Sequence, residues 1–561
     1  MTIKFDEEKS NQRLEEIHDK EEEELAQILS SKYGIQYTDL SKASIDTDAL
    51  RLIPEDEARQ AKIAGFNLFN KKLALAILTP NKSEVQNQIK RLQERGYIVE
   101  PFLVSTQSLE RAWDRYQDVS FAAQSKSGTL DVANDEIEKL INEFRSIDEV
   151  RKAVEDVMKM KKAFRISRIV EIITAAGISA KASDIHIEPE DEKVNLRFRL
   201  DGVLSDITSF DHDTYKLLLS RVKLLSKLKL NIKNAAQDGR FSVKIGDKEI
   251  EIRTSILPGN NGESIVMRLL DPSSLTVPIT DLGVPEKLLK RLFLEIDKPN
   301  GMVLNTGPTG SGKTTALYSF LNRRRSPSIK IITIEDPIEY HLEGVVQTQV
   351  DKKKGYDFAS GLRSSLRQDP DIIMVGEIRD AETAETAIHA ALTGHMVFST
   401  LHTNNAAGAF TRLIDLGINP KIITSALSVA IAQRLVRKIC QHCKKEVQAE
   451  GADLELIKKI YNKINDPEKP EFNGNIFKSA GCEKCNETGY KGRIGVFEAI
   501  ITDEKVEKTV QENPSEREIR KAAEDQNIMS MAQDGIIKVI EGVTTIEEIN
   551  RVIDLDFELE D

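Results

Sequence analysis

Met302-Val-Leu-Asn-Thr-Gly-Pro-Thr-Gly-Ser-Gly-Lys313-Thr-Thr-Ala-Leu-Tyr-Ser-Phe-Leu321 is the stretch on which the fold turns. Its first four residues form a short apolar strand, its last eight suit a helix, and residues 307–314 between them fit G-x-x-x-x-G-K-[ST]. Glycines let the backbone wrap tightly around an anion, so that successive N–H groups point inward. The helix N-terminus adds positive potential. Gly307, Pro308, Thr309, Gly310, Ser311, Gly312, Lys313, Thr314 and Thr315 are therefore candidates for holding nucleotide phosphates. Lys313 is expected to reach the β and γ phosphates, and Thr314 to ligate Mg²⁺. The competing reading, a Gly-rich turn with no ligand, does not explain why a strand precedes it and a helix follows.

Ile331–Ile334, Ile372–Val375 and Val397–Thr400 repeat the pattern of a short apolar strand separated by helical sequence. That alternation predicts an α/β fold with a mostly parallel sheet covered by helices. Ligands in such sheets sit at the carboxyl ends of the strands. The run from Asp371 to Glu377 is an apolar strand that ends in a carboxylate, which places Glu377 to polarise the attacking water. Gly376 stands where a Walker B aspartate is usual, so water-mediated contact with Mg²⁺ suits this strand better than direct ligation. Glu335, Asp336 and Glu339 also follow a strand and can hold Mg²⁺ or order water. Asp380 and Glu382 suit the cap and first turn of the next helix, a structural task. His395 and His402 bracket the strand 397–400, either as structural histidines or as sensors of the γ-phosphate.

All four cysteines fall in two pairs, Cys440-x-x-Cys443 and Cys482-x-x-Cys485. Two such knuckles supply four thiolates for a closed, structural tetrahedral Zn²⁺ site. A pair of redox disulfides is the alternative. The remaining composition agrees with several soluble, cytosolic domains: 561 residues, 40% hydrophobic, 30% charged and 5% aromatic. No apolar run reaches the roughly 20 residues of a membrane span. The first residues have no apolar core of a signal peptide. A formal net charge of −12 argues against a non-specific grip on DNA or anionic lipid.

The amino-terminal half is less explicit. Residues 1–24 are acidic and read as a helix or tail. Residues 25–118 read as a small α/β domain, with Lys72–Leu78 (KLALAIL) as a buried strand. Residues 119–162 read as a linker running into an exposed helix. A second domain, 163–275, contains the alternating strand Val194–Leu200, closed by the turn Asp201-Gly202. Tyr215–Ile232 predicts a long amphipathic helix. Its Arg221, Lys223, Lys227, Lys229 and Lys233 form either a contact surface or a solvated face. Residues 276–439, 440–490 and 491–561 read as the nucleotide-binding domain, the zinc-binding subdomain and an acidic helical tail.

Over 165–561 these motifs together resemble the type II secretion and type IV pilus assembly ATPase family. Ser183-Asp-Ile-His-Ile-Glu-Pro189 and Arg197-Phe-Arg-Leu-Asp-Gly202 resemble the signature of its second N-terminal domain. Glu335–Glu339 resembles its Asp box, and Gly376-Glu377 its atypical Walker B. Thr393-Gly-His395 through Leu401-His-Thr-Asn404 resembles its His box. The resemblance implies a PAS-like α/β domain preceding a RecA-like ATPase domain, with ATP, Mg²⁺ and Zn²⁺ as cofactors. It also implies a homo-hexamer on the cytoplasmic face of the inner membrane, reaching the membrane peripherally through a platform protein. Arg253 and Arg268 resemble the arginines that close over the phosphates from the preceding domain. Arg363, Arg367 and Arg379 match further arginines near the site or interface. Guanidinium groups suit that task because they pair with phosphate oxygens in a bidentate way. On this reading Glu377, Glu335, Arg253, Arg268, His402 and His395 are the catalytic set.

Pilus retraction ATPases share these boxes but typically lack the extra N-terminal domain and the four-cysteine insertion. This chain has both, which points to assembly or secretion. Leu52-Ile-Pro-Glu55 and the KLALAIL strand resemble the family's first domain. Some relatives bind cyclic di-GMP there through Arg-Leu-Gly. Here Arg13-Leu14 precedes Glu15, so that function is not carried over. A nucleic-acid-translocating ring ATPase of the same fold class is the alternative, and no nucleic acid is expected as a partner.

Overall fold

In the computed structural model, the apolar runs around the phosphate-binding motif become one seven-stranded sheet. Its order is Val345–Gln349, Ile331–Glu335, Ile372–Val375, Met396–Leu401, Gly301–Thr306, Leu427–Ile439, Tyr490–Ile501. The first six strands run parallel, and the last pairs antiparallel with Leu427–Ile439. The structure describes residues 22–555 apart from 41–42, 44, 51, 70, 119–122, 125–129, 132–133, 145, 159–161, 247 and 272–276. Nearly all of the acidic head, much of the linker and the Arg13-Leu14-Glu15 run lie outside the described residues.

Helices on both faces explain why these strands read as unbroken apolar runs rather than as alternation. Successive residues still part company at period two. Met302, Leu304, Ile373, Val375, Val397 and Leu401 enter one core with helices Ala381–Leu392 and Ala407–Asp415. Val303, Ile372, Met374, Met396 and Phe398 enter the other, with helices Glu286–Ile296 and Lys313–Arg324. Each large aliphatic side chain so buried contributes about 1.5–3 kcal/mol.

The tail departs from the helical expectation. Tyr490–Ile501 is a strand of 12 residues that completes the sheet, and only then do helices follow. Its length of contact with Leu427–Ile439 explains the difference: pairing runs from Val429 opposite Ile501 to Ile439 opposite Tyr490. A non-local ladder of that extent overrides weak local preference.

The chain divides into two compact units, 1–140 with 152–175 and 211–231, and 141–151 with 176–210 and 232–561. The second unit also holds a six-stranded antiparallel sheet. Its order is Gln237–Ile245, Lys248–Gly259, Gly262–Leu270, Asp184–Pro189, Val194–Leu200, Val203–Phe210. Val194–Leu200 alternates between buried and half-buried positions as its sequence predicts. The expected turn at Asp201-Gly202 forms, with φ of 48° and 90°, the geometry of a tight hairpin.

The first unit contains a four-stranded sheet ordered Gln36–Tyr37, Ile98–Leu103, Lys72–Ile77, Ile63–Phe69. Trp113 and Tyr116 close its core, donating to the carbonyls of Ile63 and Ile53. The expected long helix 215–232 is shorter here. It spans His212–Leu225 and stops where Lys227 turns left-handed (φ 59°) and the Leu228 N–H bonds back to Lys223 O. Lys223 is buried, so the five basic residues do not form one helical face. Among the described residues, no helix is long and apolar enough to cross a membrane.

Candidate nucleotide and metal sites

The strand Gly301–Thr306 delivers the chain to the phosphate-binding loop, and Gly312 caps the helix Lys313–Arg324. Packing against backbone requires glycine at 307, and a left-handed φ of 88° favours it at 312. A Cβ on Gly307 would lie 2.5 Å from the Gln433 carbonyl oxygen, and one on Gly312 would lie 2.8 Å from Gln433 Nε2. A Cβ on Gly310 meets nothing within 4 Å, so the loop opens to space on that side. Lys313 Nζ donates to the carbonyls of Gly307 (2.7 Å) and Pro308 (2.9 Å). Among the described residues the buried Ser311 hydroxyl has no hydrogen-bond partner, and a phosphate oxygen would satisfy it.

Burial pushes the Lys313 amine down to about 8, against the countervailing charge of Glu377, with Arg434 adding to the fall. A phosphate placed beside Lys313 would raise it again. Binding therefore requires the amine to take up a proton wherever the free protein has lost one. The affinity for ATP should be nearly constant below pH 8 and fall up to about tenfold per pH unit above it. Calorimetric titrations across pH 7–10 would show this, and a flat profile would count against it.

Strand order sets what faces the loop. Met396–Leu401 lies between the loop's own strand and Ile372–Val375. Glu377 and His402, each just past the end of its strand, meet there: His402 Nε2 is 3.2 Å from Glu377 Oε2. Arg379 pairs with the other carboxylate oxygen. Glu377 is 13% exposed, so its orientation is fixed from both sides. Asp380 caps the helix Ala381–Leu392 by accepting from Thr383 N, as expected.

His395 does not join His402. It lies at the opposite end of the six-residue strand Met396–Leu401, beside Gly301, with Nδ1 3.0 Å from Ala390 O. At about 3.3 Å per residue the two histidines stand some 20 Å apart. Grouping them as flanks of one strand overlooked that a strand is extended, so its two ends face different surroundings.

The Asp box divides in a similar way. Glu335 is buried, and its oxygens accept from Tyr318, Thr333 (2.5 Å) and Gln347 (3.0 Å). Glu339 instead faces the arginines of the antiparallel sheet. Arg253 donates to Glu339 Oε2 (3.4 Å) and to the Ile338 carbonyl (2.9 Å). Burial raises the Glu339 carboxyl above its ordinary range, against the pull of Arg253 and Arg268. Arg268 donates through Nε to Asp184 (2.9 Å). Arg363 pairs with Glu382, and Arg367 donates to Ser364 Oγ and Arg363 O.

Motif reading missed the polar layer beneath the loop. Asn305 Nδ2 donates to Gln433 Oε1 (2.8 Å) inside the sheet, and Thr306 and Thr403 join hydroxyls at 2.7 Å. Arg434 is buried and donates to the carbonyls of Asn404 and Gln433. The signal was present in the sequence. Asn305-Thr306 and Gln433-Arg434 interrupt otherwise apolar strands, and buried polar groups need partners.

The four cysteines converge on one point. Sγ separations are 3.9 Å for Cys440–Cys482 and Cys443–Cys485, and 3.6 Å for Cys482–Cys485, with all four sulfurs within 4.8 Å of one another. A disulfide needs about 2.05 Å. Tetrahedral ligation at about 2.3 Å from zinc spaces the sulfurs by about 3.8 Å. The N–H groups of Cys482 and Gly489 both point at Cys485 Sγ (3.2 and 3.3 Å), donors suited to a metal-bound thiolate. Geometry and donor set fit a single metal ion held by all four sulfurs rather than two disulfides.

A P-loop at the end of a central parallel strand, with an acidic strand two places away and a strand between them, defines a RecA-like P-loop ATPase domain. The chain belongs to the family described as "Type II/IV secretion system protein", whose model matches residues 159–551. The model of the MshEN domain matches residues 33–123. The chain is similar to the "Type II secretion system protein E" of Pseudomonas aeruginosa, 44% identical over 71% of this chain and 77% of that one. It is similar to the "Type IV pilus assembly ATPase PilB" of Myxococcus xanthus, 37% identical over 94% of this chain and 91% of that one. The "Type II secretion system ATPase E" of Vibrio cholerae is 40% identical over 73% and 80%. The protein is an ATPase of this family.

Proposed function

We propose that the protein is a hexameric motor that hydrolyses ATP to drive assembly of a type IV pilus or a type II secretion pseudopilus. The observation that supports this best is the similarity to a pilus assembly ATPase along 94% of the chain. It takes in both the ATPase domain and the amino-terminal region that precedes it. The motor works in the cytoplasm and meets the inner membrane peripherally, through a platform protein.

Residues Gly307–Thr315 hold the nucleotide phosphates, with Lys313 turning from its loop carbonyls to the β and γ oxygens. Mg²⁺ would be held by Thr314 and would neutralise charge on the phosphates. Glu377 accepts a proton from the attacking water as the γ-phosphoryl group leaves ADP, and His402 and Arg379 keep its carboxylate aimed. Arg253 and Arg268 close over the phosphates. Glu339, which already faces both arginines, suits the second carboxylate's task better than Glu335, whose oxygens are taken. Zn²⁺ would be held by Cys440, Cys443, Cys482 and Cys485 as a structural ion.

The rival, a DNA-translocating ring, predicts a different response. Purified protein with ATP should behave as six chains by light scattering, with turnover unchanged by double-stranded DNA. Monomeric behaviour would remove the ring reading, and strong stimulation by DNA would favour the rival.

A further inference from the structure

Three arginines stand in register across the antiparallel sheet. Arg240 is opposite Arg253, Arg253 opposite Arg268, and Arg268 opposite Asp184, which is in turn opposite Arg199. Directly opposed side chains lie about 5 Å apart, and like charges at that spacing repel. Carboxylates answer the repulsion at specific atoms. Arg253 Nε donates to Glu251 Oε1 at 3.1 Å, and Arg268 Nε donates to Asp184 Oδ1 at 2.9 Å. Asp184 is 5% exposed, so its own position is fixed. It also faces Arg199 (3.4 Å) and accepts from Ser183 Oγ (2.9 Å).

A guanidinium is a planar fork with five N–H donors. When a carboxylate takes the Nε–H, the edge formed by the two terminal amino groups remains to meet a second anion. In Arg253 that edge already meets oxygen acceptors, the Glu339 carboxylate and Ile338 O. In Arg268 the Asp184 bond is the guanidinium's one hydrogen bond among the described residues, and the side chain is 63% exposed.

We infer that Asp184 and Glu251 are positioning residues for phosphate recognition, each holding one arginine by Nε so that its terminal amino groups are presented edge-on to the nucleotide. This rests on the reading that Arg253 and Arg268 close over the phosphates. The bland alternative is that both carboxylates only neutralise charge within the sheet.

The two differ in a double-mutant cycle on ATP turnover by the full chain. Arg268→Ala should lower kcat/KM. Asp184→Asn should lower it roughly tenfold, the order expected for one charge-assisted hydrogen bond, and should do nothing further once Arg268 is alanine. The pair Glu251→Gln and Arg253→Ala should behave alike. Glu251 is more exposed, so this second cycle stands if the buried Asp184 variant fails to fold. Equal losses in the presence and absence of the arginine would overturn the positioning role. A silent Arg268→Ala together with a silent Arg253→Ala would instead overturn the phosphate reading beneath it.

Discussion

Glu377→Gln should leave ATP bound at near wild-type affinity and lower turnover by about 10²–10⁴-fold, the range a general base contributes. The amide keeps the shape of the side chain but cannot take a proton from water. On the proposed reading the phosphate contacts come from the loop 307–315, Lys313 and the helix N-terminus, so binding should survive near neutral pH, with its fall at high pH moved somewhat lower because Lys313 loses the Glu377 charge that favours its protonated form. Loss of the Glu377 charge also frees Arg379 and His402, both half-exposed partners that water can satisfy. Parallel measurement of nucleotide affinity and steady-state phosphate release checks the result, and near wild-type turnover would remove Glu377 from the role. Glu335→Gln makes a useful contrast. Its oxygens serve Tyr318, Thr333 and Gln347, so its first effect should be a lowered melting temperature.

Stripping the metal should have the second large effect, on stability. The knuckles sit where two paired strands end: Cys440 directly follows Leu427–Ile439, and Cys485 shortly precedes Tyr490–Ile501. Between the two knuckles lie the hairpin pairing Lys444–Gln448 with Asn475–Ser479 and the helix Gly451–Lys463. An ion at the four sulfurs would pin both ends of this excursion to the sheet. Structural zinc binding is worth about 10–16 kcal/mol in isolated finger peptides. Part of that should appear here as protection of 441–489. Metal analysis should give one zinc per chain. Cys485→Ser, or chelation, should lower the melting temperature and open that segment to protease. A metal-free chain that melts as the wild type does would sink the site.

Both predictions rest on features that were legible in very different degrees. The P-loop was fully legible, because eight contiguous residues carry the chemistry and local backbone geometry builds the cradle. The four-cysteine cluster was nearly as plain, since two C-x-x-C pairs use every cysteine. Glu377 was found from the end of an apolar strand, a rule about where parallel sheets present their ligands. His395 shows the limit of that reasoning. Nearness in sequence placed it with His402, while an extended strand of six residues carries the two to opposite ends of the sheet.

The choice within Glu335-Asp336-Pro337-Ile338-Glu339 was beyond the sequence for a related reason. All three carboxylates lie at or just past the end of the strand, and only the approach of Arg253 from another sheet singles out Glu339. The strand Tyr490–Ile501 and the early end of the helix at Leu225 likewise depended on partners that no local pattern names.

Neighbours along the chain are enough to set the phosphate-binding motif, the two cysteine pairs, the α/β class and the acidic strand. Only the tertiary structure decided which carboxylate meets the arginines, which histidine meets Glu377, and which buried polar residues support the loop. Those depend on strand order and register, and hydrogen bonds across a sheet join residues that the chain itself keeps 25 to 128 positions apart.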